Sequence, residues 1–175
     1  RKDMQIIFQE PFGSLNPRHS IEHIIAEPLL VHKYGTYIEI KKRILQLLDQ
    51  VGLPKDSMKL HPHEFSGGQR QRIAIARAIA LKPKFLIADE AVSALDVSIQ
   101  SQILNLISDL VKEYKISMVF ISHDLSVIRH ISSNIAIMKK GKIVEMGNTE
   151  KVLKHPSNEY TQMLITAVPG LQSNF

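Results

Sequence analysis

Apolar residues recur every three or four positions along much of the chain, and this spacing predicts amphipathic helices. The clearest case is 38–51, which we expect to end at Gly52 and Pro54. Its apolar face carries Ile40, Ile44, Leu47, Leu48 and Val51. Residues 20–33 also have a helical pattern, with an interruption expected at Pro28. Further helices are predicted at 66–81, 97–114, 124–131, 149–154 and 158–166.

Short apolar runs predict β-strands, and helical segments separate the first three of them. These three runs lie at 4–8, 85–88 and 117–121. Alternation of this kind predicts an α/β fold with a parallel central sheet. Two more runs, at 134–138 and 142–145, flank Lys140-Gly141 and predict a β-hairpin. Residues 9–18 predict a loop because two prolines and a glycine punctuate them.

Composition narrows the class of protein. The chain has 175 residues, of which 44% are hydrophobic and 22% charged, as in an ordinary globular domain. No apolar run reaches the roughly 18 residues that cross a bilayer, and no export leader is evident. The absence of cysteine excludes disulfides and thiolate metal sites and fits a cytosolic protein. The net charge is +5, but the basic residues are dispersed, so we expect a solvated surface and no nucleic-acid site. These residues include Lys41, Lys42, Arg43, Arg70, Arg72, Arg77, Lys139, Lys140 and Lys142.

Residues 65–80 read FSGGQRQRIAIARAIA, a helix that begins at Ser66-Gly67-Gly68. The N-terminus of a helix presents unpaired backbone N–H groups and attracts phosphate. An alternative is an ordinary capping box between Ser66 and Gln69. Each glycine costs up to about 1 kcal/mol relative to alanine inside a helix. We therefore expect something to approach the backbone closely at this turn.

Residues 85–90 read FLIADE, a short strand that ends in two carboxylates. Asp89 could hold the hydration shell of Mg²⁺, while Glu90 lies beside an attacking water. Alternatively, both are solvated residues at a strand end. Taken together, in this order and at this distance, the two segments resemble the signature motif and the Walker B motif of the ATP-binding cassette (ABC) ATPases.

The resemblance extends to three other segments. Gln9 follows the first strand and resembles the glutamine of the Q-loop, whose amide reaches Mg²⁺ or the attacking water. His123 follows a strand and resembles the switch histidine, which hydrogen-bonds the γ-phosphate. Ser93-Ala94-Leu95-Asp96 resembles the D-loop, which joins two catalytic sites in a dimer. An alternative for Asp96 is the N-cap of the following helix, and the two roles use different groups.

The resemblance implies ATP and Mg²⁺ as ligands and a role for each of these residues. Asp89 would bind Mg²⁺ through water, with help from Gln9, and Glu90 would act as the general base. The turn Ser66–Gln69 would clamp the γ-phosphate of an ATP that the opposing subunit holds. The catalytic set is then Glu90, His123 and Gln9, and the nucleotide-binding set is Ser66, Gly67, Gly68, Gln69 and Asp96. One departure is Ala91-Val92, where the general pattern has Pro-Thr.

The phosphate-cradling Walker A sequence does not occur in these residues, and we expect it to precede Arg1. The implied fold is a P-loop NTPase-like (RecA-like) parallel sheet with a small helical subdomain, lacking its N-terminal part. The predicted division has four parts. They are the end of a core strand with the Q-loop (1–19), the helical subdomain (20–64), the signature helix with the RecA-like core (65–150) and a C-terminal helical tail (151–175).

Residues outside the catalytic set resemble the ATPase subunits of bacterial dipeptide and oligopeptide importers, although nickel importers look similar. The segments that carry this resemblance are 9–18, 61–72, 93–106 and 155–170. It implies a second ATPase subunit, identical or different, and integral membrane permease subunits as partners. An extracytoplasmic peptide-binding protein would act indirectly, and the location would be the cytoplasmic face of the plasma membrane, as a peripheral protein.

Two other functions stay open as alternatives. ABC-type ATPases that act on nucleic acid share the signature and Walker B chemistry, but they need a coiled-coil insertion or zinc cysteines before the signature. The interval between Gln9 and Ser66 has neither. A non-catalytic interaction module would have no use for the general base Glu90.

Overall fold

The three predicted core strands form one parallel sheet. The computed structural model describes residues 2–9 and 11–168, with the backbone alone at 11 and 12. The strands are β1 (Met4–Ile7), β2 (Phe85–Asp89) and β3 (Ser117–Ile121), in the order β1-β2-β3. Their register pairs Ile6 with Ile87 and Ile87 with Val119. Because the strands are parallel, their C-terminal ends share one edge of the sheet.

The two faces of this sheet differ in burial. On one face Ile7, Leu86 and Ala88 are buried in the core. On the other face, apolar side chains of β1 and β3 are open to solvent, with Met4 56% and Ile121 47% exposed. The buried face supplies the hydrophobic driving force that holds the sheet to the helices.

The predicted helices are present, with bounds that agree within two residues. They are α2 (Ile21–Val31), α3 (Tyr37–Gln50), α4 (Gly67–Ile79), α5 (Val97–Tyr114), α6 (Leu125–Ile131), α7 (Thr149–Lys154) and α8 (Glu159–Thr166). Two 3₁₀ turns, Lys55–Lys59 and Pro62–Glu64, lie between α3 and α4. Among the residues described, no helix combines the length and the apolar character needed to cross a membrane.

The structure corrects two expectations that were based on proline. Pro28 does not interrupt α2, since the N–H of His32 still donates to the Pro28 carbonyl at 3.1 Å. Buried Ile25 and Leu29 on both sides of the proline hold the helix together. The predicted loop 9–18 contains a short helix, α1 (Pro11–Ser14), whose proline occupies a first-turn position that needs no N–H donor.

Arg43 connects the helical lobe, which is the predicted helical subdomain of residues 20–64, to the C-terminal ends of α4 and α5. Its side chain is only 4% exposed, contrary to the expectation of a solvated basic surface. It donates to the carbonyls of Ile79 and Ala80 at 3.0 and 3.1 Å, and to the Tyr114 hydroxyl at 3.1 Å. A cation is favourable there because the carbonyls at the C-terminus of a helix carry partial negative charge.

The chain divides into two compact units, Arg1–Ile121 and Ser122–Phe175. The second unit contains the predicted hairpin, now β4 (Asn134–Lys139) and β5 (Lys142–Asn148), together with α6, α7 and α8. Lys140 and Gly141 have φ of 49° and 77°, as a two-residue hairpin turn requires. The predicted division of the chain at residues 20, 65 and 151 stays a prediction, and residues 169–175 of the predicted tail lie outside those described.

A carboxylate joins β5 to the start of α8 in the second unit. Glu145 accepts hydrogen bonds from the N–H and hydroxyl of Ser157 at 2.8 and 2.6 Å, and from the N–H of Asn158 at 3.1 Å. Burial works to raise the pKa of Glu145, but the polar groups of Ser157, Thr161 and Asn158 outweigh it and lower the pKa to about 2. Glu145 therefore stays ionised in the folded unit down to strongly acidic pH.

Candidate functional site

The first turn of α4 is built by a capping box. Ser66 is the N-cap, and its hydroxyl accepts a hydrogen bond from the N–H of Gln69 at 3.3 Å. In return, Oε1 of Gln69 accepts from the N–H of Ser66 at 2.9 Å. One oxygen of each side chain thus serves the helix end itself as an acceptor, as the structural alternative predicted.

The turn also presents backbone N–H groups to a ligand. Within the described residues, the N–H groups of Gly67 and Gly68 make no hydrogen bond. They stand at the positive end of a helix of 13 residues. Capping and anion binding therefore use different groups of the same turn, and an oxyanion such as phosphate fits the pair that is left.

The two glycines differ in the space around them. A Cβ on Gly68 would lie 2.6 Å from Cγ2 of Ile99, a distance that real Cβ atoms do not show. A Cβ on Gly67 would lie 3.7 Å from Cδ2 of Leu95, which is an ordinary contact. The close approach expected from the sequence is therefore met at Gly68 by a side chain of this chain. Ile99 could not be predicted from the sequence, because no local pattern connects α4 with α5.

The end of β2 places the two carboxylate residues. Asp89 is the last residue of β2 and is paired in register with Ile121 of β3. Glu90 has φ of 46°, in the left-handed region, and its N–H donates to the Ile121 carbonyl at 3.0 Å. Its own carbonyl accepts from the N–H and hydroxyl of Ser93 at 3.1 and 3.0 Å. The backbone of Glu90 is thus held in a conformation that costs about 1–3 kcal/mol and is common at functional sites.

The departure at Ala91-Val92 has a structural explanation. Both side chains are 2% exposed and fill the interior behind the end of β2. They anchor the loop that follows Glu90 by apolar burial, so these two positions need no polar chemistry.

Gln9 lies at the same edge of the sheet as the carboxylates. It is exposed and follows β1 by two residues, and the C-terminal ends of β1 and β2 are neighbours in the parallel sheet. The structure therefore brings Gln9, Asp89 and Glu90 to one edge, where ligands of α/β sheets bind.

Gln9 and Asp89 offer the oxygen donors that Mg²⁺ prefers. The described residues contain no group of three or more His, Cys, Asp or Glu that could hold a metal ion. Mg²⁺ bound to a nucleotide takes one or two protein oxygens, and phosphates and water supply the rest. Carboxylate and amide oxygens at this edge suit such a partial ligand set.

The predicted D-loop runs from the end of β2 to α5. Asp96 occupies the N-cap position of α5, as the alternative interpretation had it, but its carboxylate accepts no capping hydrogen bond. The side chain is exposed, and Leu95 beside it lies near Gly67 in the first turn of α4. Asp96 therefore starts the helix by its backbone alone and keeps its carboxylate for another partner.

His123 belongs to the second unit, where it is exposed. Its neighbours build the start of α6: the hydroxyl of Ser122 accepts from the N–H of Asp124 at 3.0 Å, and Asp124 accepts from the N–H of Ser126 at 2.8 Å. This fixes the backbone on both sides of His123. Its action on a phosphate stays a prediction.

Arg77 is a residue of this region that the sequence did not single out. It is half-buried on α4 and donates to the carbonyl of Ser14 in the predicted Q-loop segment. Burial lowers the pKa of Arg77, and Glu27 works in the opposite direction. In the sequence, an arginine on an amphipathic helix looks like a solvated residue, so only the structure shows this link.

Comparison with known proteins agrees with this arrangement. The family model described as ABC transporter matches residues 1–93. The chain belongs to the ABC transporter family. The structure of cbiO1 from Clostridium perfringens, described as part of the ABC transporter complex cbiONQ, superposes with a TM-score of 0.78 at 27% identity. That match covers 97% of this chain and 65% of cbiO1, and it confirms the predicted α/β fold.

Relatives from bacterial importers share about half of their matched residues with this ABC protein. The glutathione import ATP-binding protein GsiA of Pectobacterium atrosepticum is 53% identical over 97% of this chain and 27% of its own length. The oligopeptide transport ATP-binding protein OppF of Streptococcus mutans is 53% identical over 97% of this chain and 55% of its length. The oligopeptide transport ATP-binding protein AppF of Bacillus subtilis is 49% identical over 97% of this chain and 51% of its own length. The chain thus spans about half or less of these relatives.

Proposed function

We propose that this chain is part of an ATPase subunit that powers peptide import through an ABC transporter. The observation that carries the proposal is the turn at Gly67-Gly68, whose N–H groups have no internal partner although the rest of the turn is satisfied. Phosphate-directed donors of this kind agree with the names of the relatives, which are ATP-binding proteins of importers.

The residues of the candidate site have different roles in ATP hydrolysis. Glu90, on its constrained backbone, acts as the general base that takes a proton from the attacking water. Gln9 and Asp89 would hold Mg²⁺, and the ion would supply positive charge against the phosphates. Gly67 and Gly68 donate to the γ-phosphate of an ATP held by a second ATPase subunit, and the dipole of α4 adds to that stabilisation. His123, which lies in the second unit, is proposed to donate to the γ-phosphate of ATP.

The composite site requires a dimer of ATPase subunits, identical or different. The exposed carboxylate of Asp96, without a capping role, lies on the segment that would meet the second subunit. The dimer binds permease subunits at the cytoplasmic face of the membrane, through residues 9–18 and the helical lobe. The Arg77–Ser14 hydrogen bond supports this role because it connects that segment directly to α4.

Reconstitution of the intact transporter tests the function as a whole. ATP hydrolysis by the intact ATPase and its permease in liposomes should rise when a peptide-loaded binding protein is added, and labelled peptide should accumulate. Nickel and duplex DNA serve as competing activators. Hydrolysis that responds to nickel and not to peptide would refute the peptide cargo, and a response to DNA would favour the nucleic-acid alternative.

Crosslinking tests the docking surface, which is convenient in a chain without cysteine. Cysteines at Ser14 and His19 should crosslink to a cytoplasmic loop of the permease, and a cysteine at Lys140 in the hairpin is the control. Crosslinks from Lys140→Cys alone would show that the permease binds elsewhere.

A further inference from the structure

The first turns of α4 and α5 meet at Gly68 and Ile99. The side chain of Ile99 occupies the space that a side chain at position 68 would need. Cγ2 of Ile99 lies 2.6 Å from the position of a Cβ on Gly68. Carbon atoms in favourable contact are about 3.5–4.0 Å apart, so a Cβ at position 68 would force Ile99 or one of the two helices to move. The methyl group of Ile99 therefore lies directly against the backbone of the α4 turn.

A second contact fixes the same two helices one turn further along. Arg72 donates from Nη2 to Oε1 of Gln102 at 3.3 Å, and from Nη1 to the carbonyl of Val51 at 2.7 Å. Residues three or four apart lie on one side of a helix, so the Arg72–Gln102 contact continues the Gly68–Ile99 contact along both helices. The N-terminal ends of α4 and α5 are therefore held at two successive turns.

Ile99 lies between two sets of groups that the fold leaves unused. On the α4 side are the N–H groups of Gly67 and Gly68, without partners in the described residues. On the α5 side is Asp96, one turn before Ile99, with a carboxylate that makes no capping bond. The spacing between these groups depends on how closely the two helices approach, and the Gly68–Ile99 contact sets that approach.

We propose that Ile99 is a positioning residue: its Cγ2 methyl sets the spacing between the phosphate-directed N–H groups of Gly67-Gly68 and the carboxylate of Asp96. The proposal rests on the ATPase function proposed above. It requires a side chain of a particular shape at position 99. A side chain branched at Cβ places a methyl group against Gly68, whereas one of equal volume that is branched at Cγ does not.

Substitutions at position 99 of the intact ATPase test this requirement. Valine keeps Cγ2 and loses only Cδ1, leucine keeps the volume and loses Cγ2, and alanine loses both. We expect Ile99→Val to retain the wild-type kcat. Ile99→Leu and Ile99→Ala should lower kcat about tenfold or more, since small displacements at a reacting centre are costly. The KM for ATP should stay within about twofold, because the second subunit secures the nucleotide.

Two outcomes of this series would overturn the proposal. One is a kcat that follows side-chain volume, with Ile99→Leu like wild type and Ile99→Val reduced. The other is an unchanged kcat in Ile99→Ala together with a lower Tm, which would make Ile99 a purely structural residue.

Thermal unfolding tests the contact without reference to ATP. Gly68→Ala should lower Tm, while the matched control Gly67→Ala should not, since its Cβ would make an ordinary contact. Adding Ile99→Ala to Gly68→Ala should recover part of the lost Tm, because the clash is relieved. Equal Tm values for Gly68→Ala and Gly67→Ala would overturn the proposal. If the wild-type protein does not hydrolyse ATP, the proposed function and the catalytic part of this proposal are refuted. The unfolding data would still show whether Ile99 packs against Gly68.

Discussion

The helices α4 and α5 both begin next to the candidate site, yet their N-caps behave differently. The hydroxyl of Ser66 caps α4 by accepting from the N–H of Gln69, and the N–H of Ser66 donates to the Gln69 side chain in return. Asp96 stands at the same position of α5 and caps nothing. The comparison separates side chains that the fold uses from those that it leaves for a partner. Two polar residues at equivalent positions can therefore have unrelated roles, and a position in a motif does not decide between them.

The largest effect is expected at Glu90. Its backbone contacts hold the fold, while its carboxylate is proposed to act in catalysis. Glu90→Gln keeps the backbone contacts and removes the base. We expect ATP hydrolysis in the intact protein to fall about 10²–10⁴-fold, with ATP affinity retained. Steady-state hydrolysis and nucleotide titration measure the two quantities. Asp109→Asn on the exposed side of α5 is the matched control, and hydrolysis by Glu90→Gln within threefold of wild type would show that the base is misassigned.

Glu145 is the clearest carboxylate that the fold uses, and pH reveals its contribution. Its pKa is lowered from 4.5 to about 2 in the folded unit. The stability that it supplies is therefore fully present above about pH 4.5 and is lost as pH falls towards 2. Glu145→Gln should lower the unfolding free energy at pH 7, and the difference from wild type should shrink through this pH window. Chemical denaturation at several pH values measures it, with the exposed Glu159→Gln as control. A difference that does not depend on pH would contradict the lowered pKa.

Ser66→Ala tests the side-chain cap of α4, and the expected effect is smaller. It removes the acceptor of the Gln69 N–H, and losing such a cap costs about 0.5–2 kcal/mol of stability. Denaturant unfolding measures this loss. Ser101→Ala is a suitable control, since that hydroxyl donates to a carbonyl within α5 and caps no helix. An unfolding free energy equal to that of wild type would mean that the capping box does not form in solution.

Asp96→Ala should have the smallest effect on stability. Because the carboxylate makes no capping bond, we expect the unfolding free energy to change by less than about 0.5 kcal/mol. Association of the two ATPase subunits in the presence of ATP should weaken in the same variant, as sedimentation would show. A loss of stability as large as that of Ser66→Ala would place Asp96 among the residues that the fold uses.

The sequence predicted the features that depend on neighbours in the chain. The capping box at Ser66 and Gln69 spans three residues, and the hairpin turn at Lys140-Gly141 spans two, so both are visible as local patterns. The α/β fold followed from alternation of short apolar runs with helical periods. These predictions succeed because the deciding interactions are close in sequence.

The features that the sequence did not reveal depend on distant residues. Ile99 meets Gly68 only after α4 and α5 pack, and Arg77 meets Ser14 across a long stretch of chain. Pro28 was expected to interrupt α2, but the burial of its neighbours prevailed over the local preference. At Asp96 the residue type favours a cap, and the observed side chain makes none.

The way in which Arg43 is held bears on engineering of the helical lobe. Two of its three acceptors are the backbone carbonyls of Ile79 and Ala80, which a helix of any sequence provides at its C-terminus. The third is the hydroxyl of Tyr114. A lobe transplanted into a related ATPase would therefore need an arginine at the position of Arg43 and a tyrosine at that of Tyr114 to keep this attachment. Chimaeras that exchange lobes, and with them the choice of permease, could be planned around these two side chains.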